Sequence, residues 1–194
     1  MTESTVIVIT GVNRGIGKSL TQTYLSRPNH TVISSVRDTA APSVEKLKSP
    51  PTTKNSHLIL IKIESSYFTD PSDAIRKIEA AGVSHVDVVI ANAGGAGGVI
   101  DPLETVTPES VIDRINVNAL GPLAPFQAAR PLLLKSKSPK WVSVSSAVGS
   151  IGNMENFKSH IAPAYGIAKA VMNWTTMVAH CGNPWLTSFA VHLG

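Results

Sequence analysis

Residues 5 to 17 read TVIVITGVNRGIG, six β-prone residues running straight into three glycines within seven positions. A strand this apolar is expected to be covered on both faces, the situation of a parallel sheet between two layers of helices. Glycine weakens strands and helices alike, so the cluster Gly11-x3-Gly15-x-Gly17 needs a backbone reason. One reading is an ordinary strand-to-helix turn. The sharper one is a phosphate cradle, in which missing side chains let a dinucleotide approach the backbone and a helix N-terminus. The cluster alone does not choose between them.

The rest of the chain extends the pattern. Apolar runs at 31 to 36, 57 to 63, 86 to 91, 140 to 145 and 187 to 192 alternate with helical stretches at 15 to 26, 71 to 81, 107 to 135 and 163 to 181. This alternation predicts a doubly wound α/β fold with six parallel strands. The stretch from 38 to 56 is rich in Pro, Ser, Thr and Lys and reads as a surface connection, with one short helix at SVEKLK. Thr107 and Pro108 suit a helix cap and first helical position. Pro122, Pro125 and Pro131 predict a kink or local break in the long pattern that follows. No repeat or linker divides the chain, so residues 1 to 194 read as one domain.

Composition narrows the classes further. A single cysteine, Cys181, excludes an internal disulfide framework and suits a reducing compartment. The six histidines lack ligand spacing, so no metal is expected. The net charge is +4, but the 17 Lys and Arg are dispersed, which argues against nucleic acid. The opening MTEST carries no basic residue, and the apolar run after it is too short for a signal or membrane segment. A cytoplasmic protein with no membrane or nucleic-acid partner is the expectation.

Four further stretches carry candidate chemistry. The second strand ends in Val36 and Arg37, where an acidic residue would pair with ribose hydroxyls; an arginine fork suits a 2′-phosphate instead. Arg14, inside the glycine turn, can approach the same group. The alternatives are that Arg37 is a solvated strand-end charge, or that Asp38 is a displaced ribose acceptor. Asn92, Ala93 and Gly94 end the fourth strand in small residues that let backbone pass close to a ligand. The fifth strand ends in hydroxyls at Ser145 and Ser146. Tyr165 and Lys169, in YGIAK, stand at i and i+4 on one helix face. An ammonium nearby favours a phenolate, so such a pair can serve acid–base work that a free tyrosine performs poorly near neutrality.

In this order the motifs resemble those of the short-chain dehydrogenase/reductase family, from Thr5 onward. TGVNRGIG is similar to its TGxxxGxG cofactor loop, NAG at 92 to 94 to its sheet-stabilising motif, and YGIAK to its YxxxK. Within the family, NRGIG and SVRD are similar to NADPH-preferring carbonyl reductases, and AYGIAKAVMNW to fungal norsolorinic-acid-type ketoreductases. The resemblance implies a Rossmann fold, NADP(H) as cofactor, and hydride transfer between a small carbonyl compound and its alcohol. It implies a tetrad in which Asn118 holds a water of a proton relay and Ser146 positions the carbonyl. Tyr165 would be the acid/base, and Lys169 would bind the nicotinamide ribose and lower the tyrosine pKa. Ser145 replaces Ser146 if the register slips by one. Gly11, Asn13, Arg14, Gly15, Ile16, Gly17, Arg37, Glu64, Asn92, Ala93 and Gly94, with Tyr165 and Lys169, would contact the cofactor. A homodimer or tetramer through the helices at 107 to 135 and 163 to 181 is implied as well, with Met172, Trp174 and Met177 on that face or in ordinary core packing.

The departures from the pattern lie in three places. Glu64-Ser65 stands where the family often has Asp followed by a hydrophobic residue. The loop IGNMENFKSHIAPA, between Ser146 and Tyr165, is longer than usual. After the sixth strand the chain reads HLG, with Leu193 where a Pro-Gly segment, a substrate-binding helix and a seventh strand are expected. A second expectation follows from this ending, a cofactor-binding but inactive or regulatory protein. A third is a marginal fragment with an exposed edge at the sixth strand.

Overall fold

All six apolar runs become strands of one parallel sheet in the computed structural model, which describes residues 4–45, 47, 50–98 and 100–193. The strands are β1 (Thr5–Thr10), β2 (His30–Val36), β3 (His57–Lys62), β4 (Val88–Ala91), β5 (Lys140–Val144) and β6 (Thr187–Val191). Their order is β3-β2-β1-β4-β5-β6, so the direction of winding reverses between β1 and β4. Ile7 of β1 pairs with Val32 on one side and Val88 on the other. In open sheets of this kind ligands sit beyond the carboxyl ends of the strands at the reversal.

The helices are α1 (Gly15–Leu25), α2 (Pro42–Glu45), α3 (Asp70–Ala80), α4 (Pro108–Ile115), α5 (Gly121–Leu133) and α6 (Pro163–Gly182). Alternate residues of β1 feed two cores. Val6 and Val8 pack with Ile78 of α3 and with Leu132 and Leu133 of α5. Ile7 and Ile9 pack on the opposite face with Leu25 of α1 and Val44 of α2. Each such side chain, fully removed from water, contributes about 1.5–3 kcal/mol before ordering costs are subtracted. Toward β6 the cover thins: Ser188 is buried, whereas Phe189 is 41% exposed on an open strand edge.

Thr107 caps α4, its hydroxyl accepting from the Ser110 N–H at 3.2 Å, with Pro108 next in line. The expected proline break takes a different form. The chain stays helical, but residues Asn116–Leu120 widen into a π turn just before Pro122. The Gly121 N–H reaches back five residues to the Asn116 carbonyl. Pro125 and Pro131 lie inside α5 without ending it. The short helix expected at SVEKLK is confined to Pro42–Glu45, and Lys46 and Lys48 lie outside the described residues. Of the three α6 side chains considered for an association face, Met172 is 1% exposed and belongs to the core. Trp174 and Met177, at 73% and 55%, face outward. Among the described residues no helix is long and apolar enough to cross a membrane.

Candidate active site

A cleft of about 430 Å³ opens at the carboxyl ends of β1 and β4. The β1–α1 turn forms its floor, and the three glycines of that turn do different things. A Cβ on Gly11 (φ +71°) would stand 2.8 Å from the Ala93 Cα, and one on Gly17 would stand 2.6 Å from the Asn92 amide nitrogen. Both positions are kept bare by the protein's own packing. Gly17, expected on the cofactor surface, is buried and does not line the cleft. Gly15 (φ +56°) does line it, and a Cβ there would meet nothing within 4 Å. The cradle is therefore Gly15 and its neighbours, pressed into place by the other two.

Asn92 fixes that arrangement. Its amide donates to the carbonyls of Thr10 (2.9 Å) and Gly11 (3.1 Å), while the Thr10 hydroxyl accepts from the N–H groups of Asn92 and Ala93. No side chain caps the start of α1, whose residue Arg14 stands in the capping position in extended conformation. Its first N–H groups thus face the cleft with the helix dipole behind them, a setting that favours phosphate.

Arg14 and Arg37 line the cleft and are exposed, and their guanidinium groups have no hydrogen-bond or ion-pair partner among the described residues. Asp38 uses Oδ1 to accept from the Ala40 N–H at 2.8 Å and lines an adjoining cavity of about 300 Å³ that shares Asn13, Arg37 and Glu64. Glu64 Oε1 accepts from the Ser66 hydroxyl at 3.3 Å. Asn13, Ile16, Ala93 and Gly94 complete the expected lining. Ser65, next to Glu64, lines it as well; Ser35, Ile63, Gly95 and Val117 line it too and were not anticipated, although each adjoins a motif residue or lies within two positions of one. The pyrophosphate of a dinucleotide fits this donor set: a bare turn, an uncapped helix start and two guanidinium groups with no partner among the described residues.

Tyr165 and Lys169 of α6 form one end of the cleft. Lys169 is 3% exposed; its ammonium donates to the Val144 carbonyl at 2.9 Å and lies 5.6 Å from the Tyr165 ring centre. Burial lowers its pKa to about 8. The two serines after β5 point different ways. Ser145 donates to Asn173 Oδ1 at 2.6 Å, whereas the Ser146 side chain hydrogen-bonds Tyr165. Burial raises the Tyr165 pKa, and the bond to Ser146 lowers it by less. The expected lowering by Lys169 is not what dominates in this protein, because that ammonium is itself desolvated and directed at Val144.

Asn118 sits in the π turn, is completely buried and does not line the cleft. Its side-chain amide donates to the carbonyls of Gly95 and Arg114, each at 3.0 Å, and its Oδ1 accepts from the Gly95 N–H. The residue four positions on, whose N–H would serve the Asn118 carbonyl in an α-helix, is Pro122.

The strand order and the cleft at its reversal define a Rossmann-type dinucleotide-binding fold. The chain belongs to the short-chain dehydrogenase/reductase family of oxidoreductases: the family model described as short chain dehydrogenase matches residues 5–183. The short-chain dehydrogenase srdF of Neurospora crassa is 46% identical over 196 residues, spanning 100% of this chain and 77% of its own. The norsolorinic acid ketoreductase of Aspergillus parasiticus is 34% identical over 196 residues, spanning 99% of this chain and 71% of its own. In fold, the chain matches the NADPH-bound carbonyl reductase from chicken fatty liver with a TM-score of 0.86 at 22% identity, over 99% of this chain and 76% of that one.

Proposed function

We propose that this chain is an NADP(H)-dependent ketoreductase, interconverting a ketone or aldehyde and its alcohol with Tyr165 as the acid/base. The observation that carries the reading is convergence. Tyr165 and Lys169, with Ser146 bonded to the tyrosine, end the same cleft that begins at the bare Gly15 turn and at Arg14 and Arg37.

In this reading Gly15, Ile16 and the start of α1 hold the pyrophosphate, and the backbone of Asn92, Ala93 and Gly94 bounds the cofactor's inner side. Arg37, with Arg14 beside it, pairs with a 2′-phosphate through charge-assisted bonds. Asn13 and Glu64 flank the adenosine end. The nicotinamide, when bound, supplies or accepts the hydride. Ser146 and Tyr165 hold the carbonyl oxygen between their hydroxyls, and Tyr165 gives that oxygen a proton as the carbon is reduced. The resulting phenolate is stabilised by the Ser146 hydroxyl and by the Lys169 ammonium. The Asn118 amide is committed to Gly95 and Arg114, so its main-chain carbonyl is the atom that would hold a relay water.

NADP(H) rather than NAD(H) is supported by the guanidinium groups of Arg14 and Arg37, unpaired among the described residues, and by the NADPH bound in the carbonyl reductase of like fold. The norsolorinic acid ketoreductase among the relatives supports a ketone as the carbonyl substrate. The same reading takes residues 1 to 194 as one cofactor-binding domain at work in the cytoplasm. Outward-facing Trp174 and Met177 suit self-association through α6.

The test is a thermal melt of the purified chain with NADPH, NADH or neither, followed by NADPH oxidation with a panel of aryl ketones. A native-state ligand at a hundredfold excess over its Kd adds about 2.7 kcal/mol of stability. A shift mainly with NADPH, and turnover lost in Tyr165→Phe with that shift retained, is the expected result. No shift with either cofactor would overturn the reading.

A further inference from the structure

We infer that Asn173 is a positioning residue: it clamps the turn that carries Ser146, so that the Ser146 hydroxyl stands at Tyr165. The role rests on the ketoreductase reading of the cleft, in which those two hydroxyls hold the carbonyl oxygen.

Successive residues at and just beyond the end of β5 each meet one residue of a single stripe on α6. The Ser143 hydroxyl accepts from Thr176 at 2.8 Å, and the Val144 carbonyl accepts from Lys169 at 2.9 Å. Ser145 donates to Asn173 Oδ1 at 2.6 Å, and the Ser146 side chain bonds Tyr165. Tyr165, Lys169, Asn173 and Thr176 follow one another at intervals of about one turn, which places them on one face of the helix. The stripe runs from the buried bond at Thr176 to the cleft at Tyr165. It fixes how α6 sits along the end of β5.

Asn173 ties two points of the connection after β5. Its amide nitrogen donates to the Gly149 carbonyl at 3.3 Å while Oδ1 accepts from Ser145. Only the amide nitrogen can serve a carbonyl, so one orientation of the side chain satisfies both partners. Between the two points lies the turn Ala147–Gly149, with Ser146 capping it by accepting from the Val148 N–H at 3.4 Å. The turn lies flat on α6 because glycines stand at the contact. A Cβ on Gly149 would come within 2.7 Å of the Lys169 backbone, and one on Gly166 would stand 3.1 Å from the Val148 carbonyl oxygen. Asn173 does not line the cleft. Its influence on Tyr165 therefore passes through Ser146, whose bond works against the rise in tyrosine pKa that burial causes. Loss of Ser145 alone leaves the Gly149 point in place, whereas loss of Asn173 releases both.

Carbon NMR of the full chain, labelled at tyrosine Cζ, tests this without turnover. The chain has three tyrosines, and the Tyr165 signal is the one lost in Tyr165→Phe. Ser146→Ala sets the shift that follows loss of the hydrogen bond. Asn173→Ala and Asn173→Leu, one smaller and one of like size, should each move the signal in the same direction. Neither should move it further once Ser146 is already alanine, since both changes act on one bond. Thr176→Val cuts the buried bond at the far end of the stripe and should leave the signal in place. Turnover in the Asn173 variants should fall by about tenfold in kcat with the NADPH Kd unchanged, as for a small misplacement of a reacting group. A wild-type Tyr165 signal in both Asn173 variants would overturn the inference. So would an equal displacement in Thr176→Val, or an undiminished effect of Asn173→Ala in the Ser146→Ala background. Failure of the wild type to oxidise NADPH with any ketone refutes the reductase reading, and the Tyr165 signal still decides the role of Asn173.

Discussion

Asn118 and Gly95 are paired in both directions: the side-chain amide donates to the Gly95 carbonyl at 3.0 Å while Oδ1 accepts the Gly95 N–H at 3.0 Å. A buried side chain here completes a backbone ladder between the π turn and the loop after β4. Its second amide hydrogen, on the Arg114 carbonyl, closes the set. Asn118→Ala orphans three backbone groups, and about 2–4 kcal/mol of stability should be lost. Asn118→Asp is the sharper test. It keeps the shape and the acceptor, but it turns an oxygen toward two carbonyls that need a donor. Chemical denaturation should show Asp no better than Ala; an Asp variant of wild-type stability would refute this account.

The adjacent serines make a paired prediction. Ser146 bonds Tyr165 and Ser145 bonds Asn173. Ser146→Ala should therefore reduce kcat by about a hundredfold with little change in melting temperature. Ser145→Ala should leave turnover within severalfold and lower stability by about 1 kcal/mol. The reverse pattern would place the carbonyl against the other hydroxyl.

Much of this arrangement is legible in the sequence because parallel strands buried on both faces are written as apolar runs. β1, β5 and β6 begin where TVIVIT, KWVSVS and TSFAVH begin. Residues 86 and 87 look equally strand-like but only approach the sheet, the Asp87 N–H meeting the Val6 carbonyl ahead of the paired region. The π turn was not legible. Prolines announce that a helix must adjust, and their positions do not say whether it bends, breaks or widens. Division of labour among Gly11, Gly15 and Gly17 was hidden as well, since it depends on Asn92 and Ala93, some 80 residues away.

Arg37 should decide between the two cofactors. Its guanidinium faces the cleft with no hydrogen-bond or ion-pair partner among the described residues, so removing it breaks no such bond there. A charge-assisted bond to a 2′-phosphate is worth about 1.5–3 kcal/mol, and Arg37→Ala should weaken NADPH by roughly 10- to 150-fold. NADH, which lacks the phosphate, should bind nearly as before. Equal losses by titration would remove Arg37 from the phosphate site and leave Asp38 as the ribose contact.

Lys169 ties the site to pH through stability. Burial lowers its pKa from 10.5 in the free side chain to about 8 in the folded protein. Below about pH 8 both states carry the proton, and folding bears the full cost of burying the charge. Above that value the folded chain sheds a proton that the unfolded chain keeps, so stability rises with pH until the unfolded lysine also titrates. Within this window the gain approaches about 1.4 kcal/mol per pH unit from this group alone. Tyr165, whose pKa burial raises, acts in the opposite sense only above its free value of 10.0, which leaves the interval from about pH 8 to 10 to the lysine. The other surface groups are shared with Lys169→Met, which lacks this titration. The stability of the wild type measured against that variant should therefore climb between pH 8 and 10 and stay level between pH 6 and 7. A flat difference across the whole range would mean that Lys169 keeps its proton when buried, and that the Val144 carbonyl compensates its charge fully.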